Sequence, residues 1–398
     1  MIGCTDDEPI SVPNAMEQSA KENEHRVSLQ DALKRAESLL SQIGDPATRS
    51  KTRKVKSVEY LQNQLTRSGA IDTTLYLVNY EDNAGFALLG ADDRVRPIYA
   101  ISDEGRLNME DTVENKGLAL FFRNTEAEIA NSPLVPEIDD SLIYIGPPII
   151  DPPYHEVVVY RQVEPLLGSH QRLWHQEYPY NIYCPQVNGS HASVGCTAMT
   201  LGQIMSYFQW PTNIGSETFP WQAMNAGYAN ERVAKLFQII GDVANMNYSS
   251  GIGMMNYGRM IETIRNLGYY CPSEMPYFNE SAIQNILNKA KRAESGGSPI
   301  IIGADSSTDM DEHVWIIDGY IQYKTISNQI VGGEQLHDVL YHCVWGWSGG
   351  LSNGYFYWAR TNSFSGNPIE KDNEFQMNLP NLNYDIEVRY LGGFIPDY

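Results

Sequence analysis

The chain has 398 residues, and its 42% hydrophobic and 19% charged residues are typical of two or three folded domains. With 49 acidic residues against 28 basic ones, the formal net charge is -21, which argues against a nucleic-acid partner because phosphate backbones repel such a surface. The five cysteines show neither a CxxC pair nor a Cys/His spacing typical of zinc, so no metal or cofactor is predicted and at least one thiol is expected to be free.

The first part of the chain, residues 1–24, is polar and acidic and predicts an N-terminal tether. Within it, Gly3-Cys4 followed by an acidic run resembles the junction that a bacterial lipoprotein signal leaves, with Cys4 as the lipidated residue. The alternative is a cysteine without a role in a polar tail. The first interpretation predicts a protein that is secreted or attached to the outer surface of the cell through lipidated Cys4.

Residues 25–132 predict a small α+β domain. Its first helix starts after Ser28, a plausible N-cap, and runs to Leu40, because leucine and alanine recur at helical spacing. Residues 41–56 are polar and basic and predict a loop. The next predicted elements are strands over 74–80 and 85–90 that form a hairpin, a strand over 95–100 and a helix over 118–129.

Residues 133–165 are rich in proline, which fixes the backbone and removes hydrogen-bond donors. They predict an extended connector over a surface and mark the most evident domain boundary in the chain. The last region, residues 166–398, contains the residues that suggest chemistry.

Cys196 is a candidate nucleophile because it is predicted in the first turn of a helix, directly after Gly195. Apolar residues at helical spacing form the buried stripe of this helix: Ala198, Leu201, Met205 and Phe208. The partial positive charge of a helix N-terminus stabilises a thiolate, so a lowered pKa is expected for Cys196. The alternative is a small buried cysteine that packs as an apolar residue.

His313 is a candidate general base because it begins a predicted strand, residues 313–320, after a polar loop. A rigid sheet can hold a base in the geometry that proton transfer requires. A half-buried strand histidine that bonds to backbone groups is the alternative, and it explains His313 better when this residue is considered alone.

A second unusual run, Trp345-Gly346-Trp347, is followed by a glycine pair and then by Asn353-Gly354. Large rings beside closely packed backbone shield a catalytic hydrogen bond from water. Structural packing of the two rings is the alternative.

Together these segments resemble the streptopain-like cysteine peptidases, a bacterial family with a papain-like fold. The resemblance is carried, in chain order, by Trp174-His175-Gln176, Val194-Gly195-Cys196-Thr197-Ala198, His313-Val314-Trp315-Ile316-Ile317-Asp318-Gly319-Tyr320 and Trp345-Gly346-Trp347. Residues 72–105 look like the inhibitory propeptide of the family, so the resemblance covers most of the chain.

The resemblance implies an α+β protein in which a small α+β propeptide domain precedes a papain-like catalytic domain. The helical part of the catalytic domain would carry Cys196, and its antiparallel sheet would carry His313. Cys196, paired with His313, would attack a peptide carbonyl and form a thioester that water hydrolyses. Gln176 would donate its side-chain amide to the oxyanion, and Trp345 would cover the Cys–His pair.

The resemblance also implies a zymogen. The propeptide domain is expected to act as an intramolecular inhibitor that closes the cleft until the connector is cut, and proteins or peptides are the expected substrates. The cut is expected within residues 150–168.

The sequence departs from the family at Val344, where the family has an asparagine directly before the Trp-Gly-Trp run. That asparagine can orient the catalytic histidine, and the loss of such an orienting group can cost orders of magnitude in rate. Asp318 or a backbone carbonyl is the candidate replacement.

The leading hypothesis is therefore a secreted or surface-anchored cysteine endopeptidase made as a zymogen. A surface lipoprotein that uses the peptidase fold only for binding, with its site weakened by Val344, is the alternative from a different class. Amide transfer or peptidoglycan cleavage by the same dyad also remains open, because all three share acyl-enzyme chemistry.

Overall fold

The computed structural model describes most of the chain. The described residues are 26–44, 49, 52–63, 72–93, 95–131, 155–250, 253, 256–290, 297–306, 313–327, 336–358 and 386–397. The predicted tether with Cys4 and residues 132–154 of the predicted connector lie outside these residues.

Helices and strands alternate in the N-terminal third, helices dominate the middle, and strands dominate the C-terminal third. The helices are α1 (Leu29–Leu40), α2 (Lys116–Asn131), α3 (Ser169–Arg172), α4 (Cys196–Phe208), α5 (Trp221–Asn225), α6 (Asn230–Ala244), α7 (Tyr257–Asn266) and α8 (Glu280–Ala290). The longer strands are β1 (Val55–Asn63), β2 (Asp72–Tyr80), β3 (Phe86–Gly90), β4 (Ile98–Ser102) and β5 (His155–Val163). Four short strands follow, β6 (Gln186–Val187), β7 (Ser190–His191), β8 (Asn213–Ile214) and β9 (Glu217–Thr218). The last strands are β10 (Tyr269–Tyr270), β11 (Ile300–Ser306), β12 (His313–Ser327), β13 (Leu336–Val344), β14 (Gly354–Tyr357), β15 (Ile386–Leu391) and β16 (Ile395–Pro396).

The N-terminal elements form where local sequence signals predict them. Ser28 caps α1 by accepting a hydrogen bond from the Asp31 N–H at 3.1 Å. Strands β2 and β3 form the predicted antiparallel hairpin around the turn Glu81–Asn83. The predicted loop 41–56 overlaps the start of β1, which pairs with β2, because a partner strand satisfies backbone groups that local composition does not reveal.

One antiparallel sheet runs through the whole protein in the order β1-β2-β3-β4-β14-β13-β12-β11-β15. Strands β1–β4 of the predicted propeptide join strands β11–β15 of the predicted catalytic domain, where Ala100 of β4 lies opposite Phe356 of β14 and Ile101 lies opposite Tyr355. The two predicted domains therefore share one sheet in the full-length chain.

Strand β5 lies within the predicted connector. The last residues of the connector are therefore part of the sheet and do not form the predicted extended segment over a surface. Strand β5 pairs antiparallel with the second half of β12, from Val163 opposite Tyr320 to His155 opposite Ser327. Helix α1 packs on it, and the side-chain amide of Gln42 donates to the Val157 carbonyl at 2.7 Å. Because β12 offers a complete ladder of backbone partners, this end of the connector is a sheet strand and not a simple surface crossing.

The sheet separates two helical layers. Trp315 and Ile317 of β12 pack in one apolar core with residues of α1 and α2, whereas Val314 and Ile316 pack in a second core with α4, α6 and α7. This alternation follows from the two-residue period of a strand. The arrangement confirms the predicted α+β architecture, with a helical part that carries Cys196 and an antiparallel sheet that carries His313. In the described part of the chain, each helix is too short or too polar to cross a membrane.

Candidate active site

Cys196 is the first residue of α4, as the sequence predicts. The preceding Gly195 has a φ of 91°, and a Cβ added to it would lie 2.1 Å from the carbonyl oxygen of Gly253. Only glycine tolerates both this φ and this close approach of two backbones. The loop before Cys196 is thus held against the chain at Gly253, and this contact positions the start of the helix.

The thiol of Cys196 has a pKa above its ordinary value because burial penalises the thiolate. The backbone N–H of Val314 donates toward the sulfur and opposes this effect, as do groups of Thr197 and Cys196 itself. The helix N-terminus alone predicted a lowered pKa, so the expected direction is wrong for the full-length chain, in which burial dominates. The sulfur therefore keeps its proton at neutral pH.

His313 is the first residue of β12 and is 5% exposed. Its ring stacks on that of Trp315, with centroids 6.1 Å apart and planes inclined by 22°. Burial, and next to it the charge of Lys116, lower the pKa of His313 to about 4. The imidazole is therefore neutral at neutral pH, and its Nε2 has no hydrogen-bond partner among the described residues.

The start of α2, in the predicted propeptide, lies directly against this histidine. A Cβ added to Gly117 would be 3.1 Å from Cδ2 of His313 and 2.7 Å from Cε3 of Trp345. These distances leave no room for a side chain, so Gly117 allows the helix backbone to cover both rings. Lys116, one residue earlier, brings its positive charge close to the imidazole.

Cys196 and His313 lie on packed elements, but within the described structure no hydrogen bond joins their side chains. The strand contributes the N–H of Val314 to the sulfur, on the side of the sheet that faces α4. The His313 ring instead lies with Trp315, whose face of the sheet packs against the propeptide helices. In the full-length chain the imidazole of His313 and the thiol of Cys196 are therefore not hydrogen-bonded to each other.

Gln176, the predicted oxyanion donor, is 1% exposed and lies between α3 and β6. Its backbone carbonyl accepts a hydrogen bond from the Val194 N–H at 2.9 Å, two residues before Cys196. Neither the oxygen nor the nitrogen of its side-chain amide has a partner among the described residues. Buried amides normally bond on both atoms, so this amide is kept unpaired at the cost of a desolvation penalty.

A second link, which was not predicted from the sequence, joins the segment that contains Gln176 to the segment that precedes Cys196. The hydroxyl of Ser193 donates to the carboxylate of Glu177, and the side-chain amide of Asn181 donates to the same carboxylate at 3.4 Å. Glutamate, serine and asparagine are common surface residues, so no sequence signal distinguishes them.

Trp345 is fully buried beside His313. Its backbone N–H donates to Oδ1 of Asn353 at 3.0 Å, and its indole N–H donates to the Ser352 carbonyl at 3.0 Å. Both partners precede β14, so the Asn-Gly turn of the sequence holds Trp345 in place. Asn353 fixes the tryptophan backbone, and the rigid ring can cover the neighbouring histidine.

The structure gives no replacement for the missing asparagine of the family. Val344 is fully buried, lies opposite Ile316 in the sheet and packs in the core that contains α4. Oδ1 of Asp318 lies 2.6 Å from Nδ1 of His342, and Oδ2 accepts from the Leu167 N–H at 3.0 Å. Asp318 therefore bonds to His342 and not to His313 in the full-length chain, which leaves a backbone carbonyl as the other candidate.

The remaining cysteines do not alter this picture. Cys184, Cys271 and Cys343 are free thiols, as is Cys196. Within the described ranges, no group of three or more histidine, cysteine or acidic side chains is arranged to hold a metal ion.

Comparison with known proteins agrees with the geometry. Residues 174–356 match the Peptidase C10 family, and residues 24–129 match the family described as Spi protease inhibitor. Residues 174–356 are a streptopain-like Peptidase C10 domain. The chain is therefore a cysteine peptidase preceded by an inhibitor-type propeptide, as the sequence resemblance implied.

Two curated relatives of this C10 peptidase are a thiol protease/hemagglutinin, PrtT, of Porphyromonas gingivalis and streptopain of Streptococcus pyogenes. PrtT is 23% identical over 363 residues, which are 78% of this chain but only 38% of PrtT. Streptopain is 21% identical over 327 residues, 71% of this chain and 73% of streptopain. A solved structure of a prointerpain A fragment from Prevotella intermedia is 19% identical and has a TM-score of 0.49, with 85% of this chain and 98% of that one covered.

The match of residues 174–356 to the Peptidase C10 family confirms the enzyme class that the sequence predicted and does not favour the binding-only alternative. The individual roles of Cys196, His313, Gln176 and Trp345, and the domain limits at residues 24, 132 and 165, stay predictions.

Proposed function

We propose that this C10 peptidase is a secreted or surface-anchored endopeptidase made as an inactive zymogen, with Cys196 as nucleophile and His313 as base. The observation that carries the proposal is the contact of Gly117 with His313 and Trp345. A propeptide that only assisted folding would not need to bury the candidate base. This one covers His313, and burial together with the charge of Lys116 lowers the pKa of the imidazole to about 4.

Removal of the propeptide would reverse each of these effects. Without α2, His313 loses the charge of Lys116 and gains contact with water, so its pKa rises toward that of a free histidine. The ring is then free to turn toward Cys196, and an imidazolium beside the sulfur stabilises the thiolate. The ion pair that starts the reaction therefore forms only after activation.

In the active form the Cys196 thiolate attacks the peptide carbonyl carbon, and the carbonyl oxygen becomes an oxyanion. The backbone N–H of Cys196 and the unpaired side-chain amide of Gln176 donate to that oxygen. His313 gives its proton to the leaving amine, and a thioester remains on the sulfur. A water that loses its proton to His313 then attacks the thioester, which releases the acid and restores Cys196.

The proposal is tested by comparing the full-length protein with a form cut in the connector. A site for a specific protease, inserted within residues 133–154, gives controlled processing. We expect an epoxide probe to label the cut form at Cys196 at least ten times faster than the full-length form, since thiolate content sets the rate. Labelling should be absent in Cys196→Ala and casein hydrolysis should be lost with it.

His313→Ala should abolish hydrolysis without unfolding the protein, whereas Gln176→Ala should slow it by about 100-fold, the usual effect of one oxyanion donor. Equal labelling of the full-length and cut forms would contradict the zymogen, and casein hydrolysis by Cys196→Ala would contradict the nucleophile. Surface attachment is tested separately, by mass spectrometry of Cys4 in the membrane fraction of the native host, with Cys4→Ser as the control.

A further inference from the structure

A half-buried arginine, Arg96, joins the propeptide to the catalytic strands far along the sheet from His313. The guanidinium of Arg96 donates to the carboxylate of Asp338 on β13 and lies over the ring of Tyr357 on β14, with 3.8 Å between Cζ and the ring centroid. Its Nε donates to Glu128 of α2 at 3.0 Å. Arg96 itself precedes β4, so it belongs to the propeptide side of the sheet.

The catalytic strands supply most of the groups that surround the Arg96 guanidinium. Asp338 has only 4% of its side chain exposed and lies opposite Tyr323 of β12 in the ladder. Tyr323 is fully buried, and its burial together with the Asp338 carboxylate raises its pKa well above the ordinary value. A carboxylate, a phenol and the face of a tyrosine ring, held on three neighbouring strands, form a site shaped for a flat cation.

The chemistry favours arginine over lysine. A guanidinium is planar and weakly hydrated, so it can stack on an aromatic ring while its N–H groups donate to a carboxylate. The buried Asp338 also raises the pKa of Arg96, although burial acts in the opposite direction, so the arginine stays charged. An ammonium group would satisfy the charge but not the stacking.

Departure of the propeptide would leave this site without its cation. The Asp338 carboxylate would then lack its counter-charge, and this favours binding of another cation. At the same time β14 loses β4, its partner along one edge, and becomes a strand to which an extended segment can add. In the full-length chain Ala100, four residues after Arg96, lies opposite Phe356, which defines the spacing a new segment must have.

We propose that Asp338, Tyr323 and Tyr357 form a guanidinium-binding site, called here the arginine site, on the catalytic strands. Arg96 occupies the arginine site in the zymogen. In the activated peptidase the site binds an arginine of an extended segment of another polypeptide, at a distance from the catalytic residues. The overall charge of -21 helps to attract such basic segments. This proposal rests on the proposed function only in requiring that the propeptide leaves.

The first test needs no catalysis. In the full-length variant Arg96→Gly, millimolar methylguanidinium should raise the melting temperature in a saturable manner, because the small cation enters the vacated site. It should not do so in the wild-type protein or in Arg96→Gly with Asp338→Asn, and methylammonium should be several times less effective. Arg232→Gly is the matched control, because Arg232 also pairs with a glutamate and lies near a phenylalanine ring, but with a third of the glutamate side chain exposed. Equal stabilisation of all variants would overturn the proposal.

The second test uses the cut and separated enzyme and a labelled peptide with the sequence of residues 95–104. We expect binding measured by fluorescence anisotropy, about tenfold weaker when the peptide arginine is alanine or when the enzyme carries Asp338→Asn. If neither the alanine in the peptide nor Asp338→Asn in the enzyme weakened binding, the proposed arginine site would be wrong. Because labelling of Cys196 is measured in the same preparation, an enzyme that reacts normally but ignores the peptide would refute this site and leave the peptidase function intact.

Discussion

The hydroxyl of Ser193 donates a hydrogen bond to the carboxylate of Glu177, and this bond joins the segment of the predicted oxyanion donor, Gln176, to that of the candidate nucleophile, Cys196. Gln176 precedes Glu177, and Cys196 follows Ser193 by three residues. Together with the bond from the Val194 N–H to the Gln176 carbonyl, it gives two links between the groups that must converge on one oxygen. A misplacement of about 1 Å at such a site can cost 100-fold in rate.

We therefore expect Glu177 to act as a positioning residue. In the activated enzyme, Glu177→Ala should lower kcat/KM for a peptide substrate by about tenfold and weaken binding of a peptide aldehyde, whose adduct carries the oxyanion. The rate of iodoacetamide alkylation of Cys196 should stay within about twofold, since alkylation needs no oxyanion donor. Glu177→Gln, which can still accept from Ser193, should recover most of the loss.

Glu231→Ala is the matched control, because Glu231 accepts a similarly exposed bond from Tyr183 away from the site. If Glu177→Ala slowed alkylation as strongly as hydrolysis, the carboxylate would act on the thiolate or on general stability, and the positioning role would be wrong.

Gly117 offers a direct test of the inhibitory contact. Gly117→Val would force its side chain into the rings of His313 and Trp345, so the start of α2 must move away. We expect about 1–3 kcal/mol of destabilisation and an alkylation rate of Cys196 in the full-length protein at least tenfold above the wild-type value.

The control for this variant is Gly258→Val. Gly258 also lies near the start of a helix, but a Cβ added to it would meet only the Asn256 side chain, at 3.7 Å. Gly258→Val should reduce the conformational entropy of the unfolded chain as much as Gly117→Val does. It should leave the alkylation rate of Cys196 unchanged. A Gly117→Val protein as unreactive as the wild type would show that covering His313 is not what suppresses the site.

Val344 tests the departure from the family pattern. Val344 packs in the same core as α4, so an asparagine there would face the region to which His313 must turn after activation. In the full-length chain, burying the new amide should cost about 1–3 kcal/mol. In the activated enzyme, Val344→Asn should raise kcat by about tenfold and narrow the pH profile, because the imidazole is held in one orientation.

Val344→Thr serves as the comparison, since it has the shape of valine and a polar atom too close to the backbone to reach a turned histidine. An increase in kcat in both variants, or in neither, would mean that another group already orients His313.

The sequence predicted the elements that depend on local pattern. Ser28 caps α1, Cys196 opens α4 and His313 opens β12, because caps, helical stripes and strand runs are encoded within a few residues. It did not predict the join between Ala100 and Phe356, because two strands more than 250 residues apart pair only through the folded context.

The same limit applies within the site. Cys196 and His313 were singled out as candidates by their neighbours and by the family resemblance, but the cover over His313 depends on Gly117, which carries no signal beyond being a glycine near a helix start. The direction of the Cys196 pKa was also beyond the sequence, since burial outweighs the helix field and burial is a property of the tertiary fold.

Glu126, on α2 of the propeptide, predicts a dependence of zymogen stability on pH. Burial raises its pKa from 4.5 to about 8, and its Oε1 has no hydrogen-bond partner among the described residues. Between these two values the folded chain binds more protons at this group than the unfolded chain does, so this group makes the free energy of unfolding fall as pH rises.

Glutamine resembles the protonated acid and does not titrate. We expect Glu126→Gln to match the wild type near the lower value and to be the more stable protein near the higher one, by urea unfolding at both ends. Glu114→Gln, at an exposed position before the same helix, should show no such divergence. Parallel curves for Glu126→Gln and the wild type would mean that Glu126 ionises in the folded chain without cost, and that the propeptide helix carries no buried acid.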